Sequence, residues 1–365
     1  MDTTVIEDFV TELIESRSGW PTLNGALSIT EVPLPGNLGS PIGLSHLTGL
    51  TRLDEFAFAG DNQTKNTRWP QGVADYTDEI GEVILSSFYF TSASNSNNSK
   101  LVVIDPVNDK WIDLPLAVLD SNGKFVHLHS HSGGLAVIGN YLYMADSTGD
   151  SIRVFCLDDV YPLDTNGTAI ASGEDFLTLY DYFLPQVGRI VLDTPGDANV
   201  SYLSVSQDGE SLVAGNFYST TSSGYAKGGK AMIWIMPLSP SPLTEFPHPI
   251  YDASQFEPLF PAGTNEGTTI TRIQGVLLLD DNTLIISRSY ASDSKQLIVM
   301  NPDSGEYFSG IASNPLGYNP NNWLFRCQDL SISTRNPARF LTSTEDPGDR
   351  SVTEWSISEA KALMV

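Results

Sequence analysis

The sequence predicts an all-β chain folded as a β-propeller, and three observations carry that reading. From Leu27 onward, short runs rich in Val, Ile, Tyr, Phe and Thr are separated by turn clusters such as Gly60-Asp61-Asn62, Asn95-Ser96-Asn97-Asn98-Ser99 and Asp280-Asp281-Asn282. A strand that opens on a small residue, followed by a Ser-rich strand and a third apolar strand, recurs five times. The 365 residues exceed what one hydrophobic core usually organises, and a small sheet repeated around an axis accommodates that length within one domain.

Before the β-rich part, Val5, Ile6, Phe9, Val10, Leu13 and Ile14 recur at helical spacing, and Thr4 with Glu7 has the form of a capping box. A helix is expected over 5–16, within an N-terminal segment 1–20 packed on the ring. Residues 21–365 form the propeller domain, with Pro21, Pro33 and Pro35 in an extended lead-in.

The first repeat places strands at 71–74, 83–87 and 100–105, and the second at 133–137, 141–147 and 152–155. The third has 201–205, 211–215 and 231–235; the fourth 274–278, 284–289 and 296–300; the fifth 328–332, 340–344 and 351–355. Aligned on Gly72, Gly134, Tyr202, Gly275 and Asp329, the openings are 62, 68, 73 and 54 residues apart, each enough for a four-stranded blade. A weaker copy opens at Ile42-Gly43-Leu44-Ser45, and Leu27–Val32 is available to pair with the last blade and close the ring. Six blades are therefore expected, with five or seven as alternatives. A pair of β-sandwiches would also give evenly spaced short strands, but it does not predict the same small-residue opening about every 60 residues.

Nineteen Lys+Arg against 44 Asp+Glu give a net charge of −25, a field that repels phosphate backbones and anionic lipid surfaces. Neither nucleic acid nor a membrane is an expected partner, and a small molecule is. No apolar run reaches the roughly 18 residues of a membrane span. No signal peptide is visible, which implies a cytoplasmic location if Met1 is native. Cys156 and Cys327, 171 positions apart in apolar surroundings, are expected as buried thiols.

In a propeller the first strand of each blade lines the axis, and the residues just before it stand at the channel mouth, where ligands usually bind. Three positions before the aligned residue stand Trp69, His131, Asn199, Arg272 and Arg326; one position before it stand Gln71, Gly133, Ser201, Gln274 and Gln328. Residues two apart on an extended strand face the same way, so these sets form stacked rings around one cavity. Arg272, Arg326 and His131 are the candidate catalytic groups. Trp69, Gln71, His129, Asn199, Tyr202, Gln274, Gln328 and Asp329 are the candidate substrate contacts. Arginines and carboxamides can donate to carbonyl oxygens while an indole offers a stacking face, a combination that suits a planar, oxygen-rich aromatic molecule. Polar groups at blade openings also serve simply to satisfy loop peptides.

Three of the five histidines lie in His127-Leu128-His129-Ser130-His131. On a strand they alternate onto one face, where imidazoles can share a metal ion or a proton. With no carboxylate or cysteine close by in sequence, hydrogen bonding to substrate or to a loop is the expectation, and neither metal nor other cofactor is. Hydrolytic apparatus is sparse: Asp329 is the sole acid at the openings, and no Gly-x-Ser-x-Gly elbow occurs. The candidate base is His131 or His129.

Trp69-Pro70-Gln71-Gly72, His131-Ser132-Gly133-Gly134-Leu135 with Tyr141–Asp146, Ser287-Arg288-Ser289, and Gln328-Asp329-Leu330 with Glu345-Asp346-Pro347-Gly348 together resemble a broad group of microbial single-domain propeller proteins. The resemblance spans roughly residues 40–357. Within that group the function it implies is that of the fungal hetero-Diels-Alderases of tropolonic sesquiterpenoid biosynthesis, which join a tropolone-derived quinone methide to a humulene-type olefin. A cofactor-independent cyclase of this kind is the leading expectation. The alternatives are a lectin-like propeller without chemistry and a metal-dependent, lactonase-like hydrolase.

Overall fold

The computed structural model describes residues 30–31, 51–52, 68–77, 81–91, 97–107, 110–162, 180–192, 199–218, 233–237, 272–288, 296–301, 307–310, 327–344, 350–362 and 364. Two short pairings come first, β1 (Thr30–Glu31) and β2 (Thr51–Arg52). The first blade is an antiparallel meander of β3 (Arg68–Thr77), β4 (Glu82–Thr91), β5 (Asn97–Asp105) and β6 (Lys110–Leu119), and β7 (Phe125–His127) folds back on β6. The second contains β8 (Ser132–Ile138), β9 (Tyr141–Asp146) and β10 (Ser151–Cys156). After β11 (Tyr161–Pro162), β12 (Tyr182–Val191) completes it by pairing with β10.

The third blade has β13 (Tyr202–Val205), β14 (Ser211–Gly215) and β15 (Ile233–Pro237). The fourth has β16 (Ile273–Leu278), β17 (Leu284–Arg288), β18 (Gln296–Met300) and β19 (Tyr307–Gly310). The fifth has β20 (Cys327–Ile332), β21 (Arg339–Thr344) and β22 (Val352–Ser356), and the helix α1 (Ile357–Lys361) follows it.

All fifteen strands that the repeat predicts are present, shifted at most by a few residues. They form because their apolar side chains alternate with period two and both faces of each sheet are covered. In β17, Leu284 and Ile286 face the third blade, while Ile285 faces the fifth. The buried residues accordingly fall into five clusters, each shared by two neighbouring blades. One holds Leu85, Leu101 and Leu114 of the first blade against Leu142 and Met144 of the second. Another holds Phe88 and Val102 of the first against Leu341 and Val352 of the fifth.

That last cluster bears on the blade count. The fifth blade packs directly on the first, and Ser343 Oγ donates to Gln71 O at 3.2 Å while Ser333 Oγ donates to Asp75 Oδ2 at 2.9 Å. Among the described residues five blade-like units pack in sequence, the first two joined at their outer edges by parallel pairing of β6 with β12, and five was one of the alternatives to the expected six. Of the weak sixth copy, Thr51 and Arg52 alone are described, and they pair with Trp111 and Lys110 at the edge of the first blade. The expected closure by Leu27–Val32 is also corrected. Thr30 and Glu31 pair with Arg189 and Gly188 of β12, the outer strand of the second blade, not with the last blade. An outer strand has a free edge that any extended segment can cover, and covering it prevents edge-to-edge association.

The N-terminal helix expected over 5–16 lies outside the described residues. α1 is C-terminal, and the Ser356 side chain caps it by accepting the Glu359 N–H at 3.3 Å. Cys156 is buried as expected, and burial pushes its thiol up to about 12.

Candidate functional site

The inner strands meet at the axis backbone to backbone. Gly134 N donates to Ser201 O at 3.0 Å, and a Cβ on Gly134 would lie 2.3 Å from Leu203 N and 2.8 Å from Asp329 Oδ1. Only glycine permits that approach. Asp329 fills the remaining space: 1% exposed, its Oδ2 accepts the peptide N–H of Leu135 at 3.0 Å and of Val73 at 3.3 Å. The N–H groups of Leu330 and Leu203 also act on this carboxyl. Burial holds it well above the usual carboxylate range although the four peptide donors pull it down. The four donors follow the aligned residues Gly72, Gly134, Tyr202 and Asp329, so the repeat register recurs as a ring of N–H groups around one carboxyl.

Trp69, His131, Asn199 and Arg272 stand at or just before the starts of β3, β8, β13 and β16, the end of each inner strand at which the sequence expects a channel mouth, while Arg326 lies outside the described residues. Antiparallel pairing delivers a second set to the same end. Tyr89 stands opposite Trp69, Asp146 opposite Ser132, and Arg288 opposite Ile273.

Aromatic and cationic groups dominate there. The Tyr89 and His131 rings stack with centroids 3.8 Å apart and planes inclined at 31°. The Arg350 guanidinium carbon lies 5.4 Å from the Trp69 ring centre, with Arg350 fully buried. Arg272 has a left-handed backbone, φ 69°, and its N–H donates to Tyr218 O at 2.7 Å. Arg288 is 2% exposed. Burial, and then the Arg272 charge beside it, hold the Arg288 guanidinium down to about 10, so it is charged at neutral pH.

β7 ends at His127, but His129 bridges Asn98 and the His127 and His129 rings lie 5.9 Å apart, while His131 stacks on Tyr89 instead. His127 is buried with Nε2 2.7 Å from Ser99 O, and His129 is exposed. His131 is half-buried, its Nδ1 meets no hydrogen-bond partner among the described residues, and burial holds the imidazole down to about 4 against the pull of Asp146. Asp146 is itself engaged by Ser130 Oγ at 2.6 Å and by Arg153 at 2.6 Å, and those partners keep its carboxyl below the ordinary range against the desolvation that opposes them. At neutral pH His131 is a neutral imidazole and an acceptor. Among the described residues no three His, Cys, Asp or Glu side chains come together to hold a metal ion.

The other candidates divide by role. Asn199 Nδ2 donates to Ser147 O at 2.8 Å and so ties the second and third blades together. Gln71 Nε2 donates to Pro70 O at 2.8 Å. Gln328 is buried and Gln274 half-buried, each one step nearer the axis than the mouth. Two of the expected substrate contacts are almost fully buried: Tyr202 is 1% exposed within the apolar cluster between the third and fourth blades, and Asp329 Oδ2 accepts axial peptide N–H groups while its Oδ1 meets no hydrogen-bond partner among the described residues. Arg288 and Arg350, which the alignment of first strands does not reach, arrive through the ends of the second and third strands. The Ser287-Arg288-Ser289 repeat position was the available signal.

No family description and no curated protein matches this sequence. Among solved structures, the PQQ-bound aldose sugar dehydrogenase of Streptomyces coelicolor is similar at 12% identity and a TM-score of 0.39, over 84% of this chain and 97% of that one. A putative 6-phosphogluconolactonase of Bacteroides uniformis gives 14% and 0.41, over 80% and 82%. CoXyl43, a β-xylosidase/α-arabinofuranosidase from a compost metagenome, gives 12% and 0.37, over 87% and 94%. Likeness at this level carries no argument about what this chain binds.

Proposed function

We propose that this propeller is a cofactor-independent biosynthetic enzyme that binds a polarised aromatic or quinonoid molecule at the mouth of its ring and promotes cyclisation or cycloaddition of the hetero-Diels–Alder type with an olefin. The observation that carries the proposal is the company kept at the mouth: the Trp69–Arg350 and Tyr89–His131 pairs, with Arg272 one strand start further round.

A cycloaddition needs no nucleophile and no net proton transfer. It needs two partners held face to face, and a donor on the oxygen of the electron-poor partner. Aromatic faces suit the first task. A guanidinium aimed at a carbonyl suits the second, because it stabilises charge that accumulates on that oxygen as the new bonds form. His131, neutral at neutral pH, accepts a hydrogen bond from a phenolic or enolic hydroxyl and so fixes which face of the substrate is presented. A lectin-like reading would place equivalent pockets between blades. Apolar clusters fill those spaces, which favours the single mouth.

The test is stereochemical. A quinone methide generated in solution with a humulene-type olefin gives racemic adduct slowly. With the protein present, one enantiomer should form faster than background. Racemic product at the background rate would remove the cycloaddase reading.

A further inference from the structure

His131 serves the mouth, read as a small-molecule site, only if its ring is held in place. Resting on that reading, we propose that Asp146 is the positioning residue of the mouth: through Ser130 it fixes the backbone that carries His131, and so sets the imidazole against the face of Tyr89.

The His131 ring has little of its own to hold it. Its Nδ1 meets no hydrogen-bond partner among the described residues, and its contact with Tyr89 is a tilted stack at 3.8 Å. Where the ring lies is therefore decided by its backbone, which the neighbouring strands clamp. Ser99 Oγ of the first blade donates to Ser130 O at 2.8 Å, and the Ser147 N–H donates to His131 O at 3.0 Å. Ser130 Oγ donates to Asp146 Oδ1 at 2.6 Å, a bond strengthened by the charge of its acceptor. Ser130 is fully buried, so water does not compete for its hydroxyl.

Asp146 suits the task because it is held on both oxygens. It is 2% exposed at the end of β9; Arg153 Nε donates to its Oδ2 at 2.9 Å, and Thr148 Oγ1 donates to its Oδ1 at 2.5 Å. Arg153 Nη1 donates in turn to Gln186 Oε1 at 2.7 Å, which anchors the carboxylate to β12. A carboxylate locked in this way has one geometry to pass on to the serine beside the site, and the next residue along the chain inherits it. Electrostatics add an independent observation. Burial dominates the His131 imidazole, and the Asp146 charge acts against it, so the carboxylate reaches the ring as well as Ser130.

The test reads the His131 ring directly. In the intact protein at neutral pH, its imidazole C–H resonances, assigned with His131→Gln, should carry a ring-current shift from Tyr89, and Tyr89→Leu defines the loss of that shift. Ser130→Ala and Asp146→Ala should each lose most of it. Asp146→Asn, which keeps an oxygen for Ser130, should retain most of it. A role confined to stability would lower the melting temperature and leave the resonances of the folded protein in place. If Asp146→Ala does not fold, because Arg153 loses its partner, Ser130→Ala and Asp146→Asn still decide. The shift kept in Ser130→Ala, or lost in Asp146→Asn as fully as in Tyr89→Leu, would overturn the positioning role. Where the cycloaddition runs, Ser130→Ala should also lower kcat on the order of 10-fold or more with KM little changed. Resonances that move as expected with no catalysed cycloaddition would uphold the positioning role and remove the proposed reaction.

Discussion

The carboxyl oxygen Oδ2 of Asp329 accepts the peptide N–H of Leu135 at 3.0 Å, joining the fifth blade to the second across 194 residues of sequence. With Val73 of the first blade on the same oxygen at 3.3 Å, one side chain ties three inner strands at the axis. Burial pushes this carboxyl above its usual range while the peptide N–H groups pull it down. Asp329→Asn keeps a carbonyl acceptor for those N–H groups and should cost no more than about 1 kcal/mol if the ring uses the neutral form. Asp329→Leu strands several buried N–H groups and should cost roughly 3 kcal/mol or more. Urea unfolding of the two variants measures the difference. Equal damage from both would mean that the ionised form is the one the ring requires.

Gly134 predicts the tightness of the axis. A methyl group there would meet Leu203 N at 2.3 Å, and the obstacle is backbone, which cannot swing aside. Gly134→Ala should destabilise by roughly 3 kcal/mol or more, or fail to fold. Gly81→Ala, with nothing within 4 Å, is the matched control and should change stability by less than about 1 kcal/mol. Thermal melts of the pair would show it.

The strands were legible because period-two alternation and Ser-rich second strands leave a mark in composition. The blade count was not, because pairing at an outer edge leaves none. Ile42-Gly43 resembles an inner-strand opening, and nothing in Thr51-Arg52 announces that it will cover β6. The repeat alignment put Trp69, His131, Asn199 and Arg272 at the start of first strands, one end of the blades. Arg288 reaches it by cross-strand register, a relation that follows only once hairpin pairing is known. The histidine triplet was legible in part: the His127 and His129 rings lie 5.9 Å apart, as alternation expects, while His131 stacks on Tyr89.

Acid should weaken the fold through the histidines. Burial lowers both His127 and His131 to about 4, below the ordinary value of 6.5. The unfolded chain binds their protons first as pH falls, so the stability they contribute is complete above 6.5 and is lost progressively down to about 4. For the fully buried His127 the loss is on the order of 3 kcal/mol. Urea midpoints should fall between pH 7 and pH 4.5, and His127→Gln should flatten that slope. An unchanged slope in the variant would show that His127 is hydrated.

Arg272 offers the sharpest separation of catalysis from folding. It is half-buried at a strand entrance and outside the apolar clusters, so a change of its side chain leaves the core packing in place. Lysine keeps the charge and loses the planar fork that matches two acceptor lone pairs. If the guanidinium donates to an oxygen on which charge develops, Arg272→Lys should lower turnover on the order of 10- to 1000-fold, the range for removing one oriented donor. The melting temperature should be nearly unchanged, and Arg326→Lys should behave alike if Arg326 shares the mouth. A fall in kcat with KM held would place the interaction in the transition state, and a rise in KM alone would make Arg272 a binding residue. Intact turnover with lysine at both positions, or unfolding by either change, would give these arginines a structural role and take from the mouth its main chemical group.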